Sequence, residues 1–60
     1  MDLLTVYDLA ELLHLTRGTL DRWRSANEGP AWIEVGGQVR YRREDVDAWL
    51  NKNTKGAQNG

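Results

Sequence analysis

Arginine is concentrated in the middle of this 60-residue chain. All six arginines lie between residues 17 and 43, where they outnumber the three acidic residues, and the segments on either side are net negative. The planar guanidinium group donates hydrogen bonds in a fork that matches phosphate oxygens and guanine edges. The net charge of the whole chain is only −1. The distribution of charge, rather than its sum, therefore predicts a nucleic-acid partner.

Few residues could form a metal site or a catalytic site. The chain has no cysteine and one histidine, which leaves too few groups for a metal site or a Ser/His/Asp triad. We therefore expect no metal, no cofactor and no enzymatic activity. No apolar run approaches the roughly 20 residues that span a bilayer, and no signal-peptide pattern opens the chain. A cytoplasmic location is expected.

Two short helices are predicted in the first half of the chain. Thr5 is suited to cap the first helix, with Asp8 three residues on approximating a capping box. Apolar residues then follow at helical spacing: Val6, Leu9, Ala10, Leu12 and Leu13. His14 interrupts the pattern, and Thr16 caps a second helix that runs to about residue 26. So tight a connection is typical of a helix-turn-helix, whose second helix enters a DNA groove.

The second helix carries candidate DNA-contacting residues beside a core stripe of Leu20 and Trp23. Arg17 and Arg22 are suited to bind bases or phosphates, the alternative being ordinary solvated surface. Gly18 would let a phosphate or base edge approach closely, and simple tolerance of glycine near a helix end is an equal alternative. The DNA-binding residues predicted on this helix are Thr16, Arg17, Gly18, Thr19 and Arg22.

Three of the polar residues in this helix have two interpretations. Thr16 is first a cap, and its backbone N–H at the helix start could also bind a phosphate. Thr19 contacts a thymine methyl or a phosphate, or it is partly buried against the first helix. Asp21 accepts a hydrogen bond from cytosine, or it pairs with Arg17 or Arg24.

A β-hairpin is predicted around Gly36-Gly37, between residues 32 and 41, after a loop at residues 27–30. Two registers of this hairpin compete. A two-residue Gly-Gly loop pairs Val35 with Gln38 and distributes the apolar side chains over both faces of the hairpin.

A three-residue loop instead pairs Val35 with Val39 and Ile33 with Tyr41, which places four apolar side chains on one face. Because the buried face sets the register, we predict the three-residue loop. The result is a β-wing with arginines projecting outward. Its outer face then carries Trp32, Glu34, Arg40 and Arg42.

The last helix is predicted to begin near Arg43 and to fade near Lys52. Glu44 and Asp45 in its first turn suit the helix dipole. Its apolar stripe consists of Val46, Trp49 and Leu50. Residues 1–52 are therefore expected to form one domain, and residues 53–60 a polar, disordered tail.

Arginines of the wing and its flank form a second candidate DNA-binding set. They are Arg40, Arg42 and Arg43, which could follow the DNA backbone beside the wing. The alternative is a solvated ion-pair face with Glu34 and Glu44.

Several short motifs occur between Leu3 and Leu50. They are the opening LLTV, Leu12-Leu13, Thr16-Arg17, Arg22-Trp23, Gly36-Gly37, the run from Arg43 to Val46, and Trp49-Leu50. In this order and spacing they resemble the excisionase-type winged helix-turn-helix domain, which is related to MerR-like DNA-binding heads. Members of that family often have a glycine at the turn where this chain has His14.

The resemblance implies a mostly α fold with a small β-hairpin, three helices plus a two-stranded wing in the order α-α-β-β-α. It places the second helix in the major groove of double-stranded DNA and the wing in the minor groove. It also implies a small phage or mobile-element protein that binds DNA as several copies side by side. Many members help a tyrosine integrase to excise integrated DNA, and others regulate transcription.

The leading hypothesis is thus a sequence-specific DNA-binding architectural factor of the excisionase type, with integrase and further head-to-tail copies as partners. One alternative is a small transcriptional regulator on the same fold. A further alternative is a protein-interaction module, because a fold does not determine function. Its docking surface would be an acidic face of Asp8, Glu11, Asp45 and Asp47. The clustering of arginines around a helix start and a wing favours DNA.

Overall fold

The computed structural model describes residues 2–56. The elements in chain order are β1 (Leu3–Leu4), α1 (Val6–Leu13), α2 (Arg17–Ser25), β2 (Ile33–Val35), β3 (Gln38–Arg42) and α3 (Arg43–Lys52). The three helices and the β2–β3 hairpin confirm the predicted winged helix-turn-helix class. Strand β1 is an addition to the predicted order, and it makes a three-stranded sheet with β3 in the centre. None of the helices in residues 2–56 has the length and apolarity needed to cross a membrane.

Local hydrogen bonds define both ends of α1. The Thr5 hydroxyl accepts from the backbone N–H of Asp8, and the Asp8 carboxylate accepts from the backbone N–H of Thr5, both at 3.0 Å. These are the two bonds of a capping box, as predicted. At the other end His14 adopts a left-handed conformation with φ of 58°. This lets the N–H of Leu15 donate to the carbonyl of Ala10 at 2.9 Å, and the bond closes the helix.

Helix α2 is bounded in the same way. The Thr16 hydroxyl accepts from the backbone N–H of Thr19 at 3.2 Å, which confirms Thr16 as the cap. After Ser25 the chain turns at Asn27, whose φ is 62°. The N–H of Glu28 then donates to the carbonyl of Trp23 at 2.7 Å, as in a Schellman motif. Residues 14–16 alone separate the two helices, so the turn is as short as predicted.

The core gathers side chains from all three helices and the central strand. Its buried members are Leu9, Ala10, Leu20, Tyr41 and Val46. Trp23 packs against this core, as predicted. Trp49 is half-buried and contacts the Trp23 ring, with centroids 5.4 Å apart. Gly29 lies against Trp23 with φ of +83°, and a β-carbon there would stand 2.6 Å from the Trp23 ring. Only glycine fits that position.

The predicted register of the wing is wrong. The structure pairs Val35 with Gln38 across a two-residue loop, followed by Glu34 with Val39 and Ile33 with Arg40. The φ angles of Gly36 and Gly37 are 57° and 80°, and a tight two-residue hairpin turn of type I′ requires both to be positive. The Gly-Gly pair therefore determines the register locally.

The four apolar side chains of the hairpin consequently do not share a face. Val39 and Tyr41 face the core, and Tyr41 also pairs with Leu4 of β1. Ile33 and Val35 lie on the opposite face, and Val35 is 47% exposed. The prediction failed because it considered only the pairing of β2 with β3. The apolar partners of β3 are supplied by β1 and the helices.

Arg40 and Arg42 remain together on the face opposite Tyr41, as strand alternation requires. Glu34 does not accompany them, because its pairing with Val39 puts it on the other face. Trp32, also predicted on the outer face, contacts α2 instead: the Arg24 guanidinium lies 5.9 Å from the centroid of its ring.

Helix α3 begins at the residue that follows β3, with no loop between them. Its first residue is hydrogen-bonded to the N-terminal segment: the N–H of Arg43 donates to the carbonyl of Asp2 at 3.0 Å. Its last turn continues into the predicted tail, where the N–H of Asn53 donates to the carbonyl of Trp49 at 3.0 Å. Residues 57–60 of that tail lie outside the described residues.

Candidate nucleic-acid interface

Arg17 at the start of α2 is held from two sides. Its guanidinium donates a hydrogen bond to the Tyr7 hydroxyl of α1 and lies 5.0 Å from the centroid of the Tyr7 ring. On its own helix, the Nε atom stands 3.6 Å from Oδ2 of Asp21. The Arg17 side chain is nevertheless 56% exposed. It is therefore oriented by the protein and open to a ligand.

The surface around Gly18 is open. A β-carbon at Gly18 would meet only the Thr16 hydroxyl, at 3.9 Å. Thr19 is half-buried, and its hydroxyl forms a 3.0 Å hydrogen bond with the hydroxyl of Thr16. Arg22 is exposed and has no ion-pair partner within residues 2–56. The first two turns of α2 thus present a surface that a groove of DNA can approach.

Arg24 was predicted only as an alternative partner of Asp21, and the structure adds it to the candidate interface. Its Nη1 donates to the hydroxyl of the buried Tyr41 at 3.0 Å, and Nη2 forms an ion pair with Asp21. Burial opposes the charge of Arg24, but the hydrogen bonds to Tyr41 and Asp21 outweigh it and raise the pKa of Arg24 above its usual value. Because Trp32 stacks beside it, Arg24 joins α2 to the base of the wing.

Asp21 is explained by these contacts. It pairs with both Arg17 and Arg24, which confirms the pairing interpretation. Its carboxylate neutralises part of the positive charge at the junction of α2 with the wing. It also limits how far the two guanidinium groups can move.

The flanking arginines are engaged with α3. Nε of Arg42 donates to Oδ2 of Asp45 at 2.9 Å, and this hydrogen bond raises the pKa of Arg42. Nε of Arg43 lies 3.5 Å from Oδ1 of Asp47. Glu34 and Glu44 were the ion-pair partners expected here in the alternative to DNA contact. The structure replaces them because an acidic residue three or four positions further along α3 lies on the same side of the helix.

Arg40 has a different environment. Its Nη1 donates to the carbonyl of Val39 at 2.7 Å, and it has no carboxylate partner among residues 2–56. The side chain is half-buried. Residues 2–56 therefore give Arg40 one hydrogen-bond acceptor but no carboxylate that neutralises its charge.

Three arginines meet in one cleft between the helices and the wing. Arg17 and Arg24 of α2 line it together with Arg40 of β3, and its volume is about 350 Å³. The remaining lining residues are Thr5, Val6 and Tyr7, with residues 37–39 of the wing. No acidic residue lines this cleft in the described part of the chain. Of the predicted site residues, the structure brings Arg17 and Arg40 together here.

The other predicted site residues lie elsewhere. Arg22 borders a separate groove near the end of α2. Arg42 and Arg43 form ion pairs with Asp45 and Asp47 of α3 and do not line the cleft. Tyr7 joins the site although the sequence analysis did not select it. A tyrosine ten residues before an arginine, on a neighbouring helix, carries no local signal of contact.

One known family of protein domains matches nearly the whole of this arrangement. The family model described as a helix-turn-helix domain matches residues 3–54, from β1 to the end of α3. Comparison with curated proteins and with solved structures gave no match in either set. The matched residues include the helix pair, the wing and every arginine discussed above. The chain therefore belongs to the helix-turn-helix domain family and is a DNA-binding domain.

Proposed function

We propose that this domain is an architectural factor of the excisionase type, which binds and bends attachment-site DNA so that an integrase can excise it. The observation that supports this most is the convergence of α2 and the wing on one arginine-lined cleft. A helix and a wing that share a positive cleft can hold DNA at two neighbouring grooves. The domain supplies no chemistry in this proposal, and bond cleavage belongs to the integrase.

Helix α2 carries the sequence-specific part of the proposal. Its exposed face around Gly18 enters the major groove, where every base pair presents a distinct pattern of donors and acceptors. Arg22 is the candidate for a base contact because it is exposed and without an ion-pair partner in residues 2–56. The wing enters the minor groove, in which A·T and T·A are nearly alike. It therefore contributes affinity with little base discrimination.

Several copies are needed for specific control. A single DNA-binding module buries roughly 600–1,000 Å², and a net charge of −1 limits its affinity further. In head-to-tail assembly, the exposed acidic face of α1 with Asp8 and Glu11 would meet the arginine-bearing face of the next copy. Such heterologous contacts propagate along DNA instead of closing into a dimer.

The test is a gel-shift titration on a duplex site selected from random sequences, followed by an excision assay with a tyrosine integrase. We expect a cooperative ladder of shifted species whose mobility depends on the position of the site within the fragment, which reports bending. A single complex on an inverted repeat, without bending and without an effect on excision, would contradict the proposal. That result would favour a small transcriptional regulator on the same fold.

A further inference from the structure

We infer that Arg17 and Arg40 bind one and the same backbone phosphate of duplex DNA, in the cleft that they line together. This assigns the cleft to a phosphodiester group and makes Tyr7 and Arg24 its positioning residues. The inference rests on the proposed DNA-binding function. It adds the path that the DNA backbone takes across the protein.

The charges in the cleft favour an anion. Three guanidinium groups line it, and the one carboxylate bonded to them, Asp21, pairs with Arg17 and Arg24 and leaves Arg40 without an acidic partner in residues 2–56. Like charges gathered at a partly buried site repel each other, so an anion there relieves the repulsion. A phosphate group accepts several charge-assisted hydrogen bonds at once and matches the donor forks of arginine.

The positions of the two binding arginines are set before any ligand arrives. Arg17 is held by the Tyr7 hydroxyl and ring and by Asp21. Arg40 uses Nη1 on the carbonyl of Val39, which leaves its other N–H groups for a ligand. These contacts restrict both side chains in the free protein, Arg17 more than Arg40, and this reduces the entropy lost on binding.

Arg24 connects the two walls of the cleft. It lies on α2 and donates to the Tyr41 hydroxyl of β3, while its ion pair with Asp21 holds it on its own helix. It is only 17% exposed, so we assign it a positioning role and not a direct contact with the phosphate. Thr5 lines the cleft as well; its hydroxyl oxygen accepts from the backbone N–H of Asp8, and its O–H can still donate to an anion.

The position of the cleft identifies the source of the phosphate. A major groove and its neighbouring minor groove are separated by one sugar–phosphate backbone. If α2 occupies the first groove and the wing the second, that backbone must pass between α2 and the wing. The cleft lined by Arg17 and Arg40 lies in that gap. A phosphodiester is therefore favoured over a free phosphate ion.

The test combines neutral methylphosphonate substitutions, placed one at a time along a selected duplex site, with the variants Arg17→Ala, Arg40→Ala and the double variant. We expect one position at which the methylphosphonate weakens binding of the parent protein but has little effect on the double variant. The double variant should also lower the magnitude of the log–log salt slope by about 0.9, the value for one phosphate; two separate phosphates would give roughly 1.8.

Arg22→Ala is the matched control, since Arg22 lies on α2 outside the cleft. It should retain the full methylphosphonate effect at that position. Coupling of Arg17 and Arg40 to two different positions would overturn the inference while leaving DNA binding intact. Saturable binding of inorganic phosphate to the cleft, without DNA and at physiological concentration, would also overturn it. Absence of any binding to duplex DNA would overturn the proposed function itself.

Discussion

The guanidinium of Arg17 lies 5.0 Å from the centre of the Tyr7 ring and donates a hydrogen bond to the hydroxyl of the same side chain. Tyr7 is 64% exposed, so it adds little to the core. Its contacts with Arg17 join the first helix to the start of the second. The orientation of a candidate DNA-binding arginine thus depends on a residue of the supporting helix.

Substitution of Tyr7 should reduce DNA binding without reducing stability. In Tyr7→Phe the hydroxyl is lost and the ring remains, so Arg17 loses part of its constraint and must be ordered when it binds. Ordering a long side chain costs about 0.5–1.5 kcal/mol, which corresponds to roughly two- to tenfold weaker binding. Tyr7→Ala also removes the cation–π contact and should lie at the upper end of this range. Fluorescence anisotropy with a labelled duplex measures the affinities, and thermal unfolding checks the fold. Parental affinity in both variants would show that Tyr7 does not position Arg17.

Arg17→Ala and Arg22→Ala should each weaken DNA binding while leaving thermal unfolding almost unchanged, because both side chains are exposed. Arg17 contacts a phosphate in our inference, so its loss should weaken binding to all sequences alike. Arg22 is the candidate base contact, and its loss should relax specificity by about 1–3 kcal/mol at one base pair. Binding to a panel of single-base variants of the site separates the two effects. Normal affinity in the Arg17/Arg22 double alanine variant would contradict the assignment of α2 as the recognition helix.

The close-approach role of Gly18 can be tested by size and charge. Gly18→Ala should unfold at a slightly higher temperature, because alanine gains up to about 1 kcal/mol in helix propensity and its β-carbon meets only the Thr16 hydroxyl at 3.9 Å. Gly18→Glu brings bulk and negative charge toward the phosphates and should bind DNA much more weakly than Gly18→Ala. Equal binding by both variants and the parent would show that Gly18 does not face the DNA.

Gly29→Ala should destabilise the domain more than Gly37→Ala. Both glycines have positive φ, at 83° and 80°, so each substitution carries the roughly 1–2 kcal/mol penalty of a left-handed conformation. Only at Gly29 would the new β-carbon collide with the Trp23 ring, at 2.6 Å, whereas Gly37 has open space. The collision should add about 1–3 kcal/mol. Urea unfolding followed by tryptophan fluorescence compares the two, and equal loss of stability would show that the Trp23 contact relaxes freely.

The helices could be predicted from the sequence because their signals are local. Thr5 and Thr16 each bond to a backbone N–H three residues away. The apolar spacing of α1 and α3 identified the buried Leu9, Ala10 and Val46, although Leu12 and Leu50 of the same stripes are exposed. The position of His14 at the turn is local as well, since its left-handed φ of 58° completes the end of α1. Such features need no knowledge of the rest of the fold.

The wing register follows from a local turn, whereas the apolar partners of β3 and the composition of the cleft depend on distant contacts. The positive φ angles at Gly36-Gly37 set the two-residue loop, and Leu4 of β1, far away in the sequence, pairs with Tyr41. Arg24 contacts Tyr41 seventeen residues further along the chain. Hydrophobic alternation within a hairpin cannot reveal partners that other elements supply. Sequence reasoning therefore found Arg17 and Arg40 separately, and only the folded chain brings them into one cleft.

The direct junction between β3 and α3 couples two surfaces mechanically. Strand β3 ends at Arg42 and α3 begins at Arg43, whose N–H is bonded to the carbonyl of Asp2. With no loop residue between them, a displacement of β3 would be transmitted directly to the start of α3.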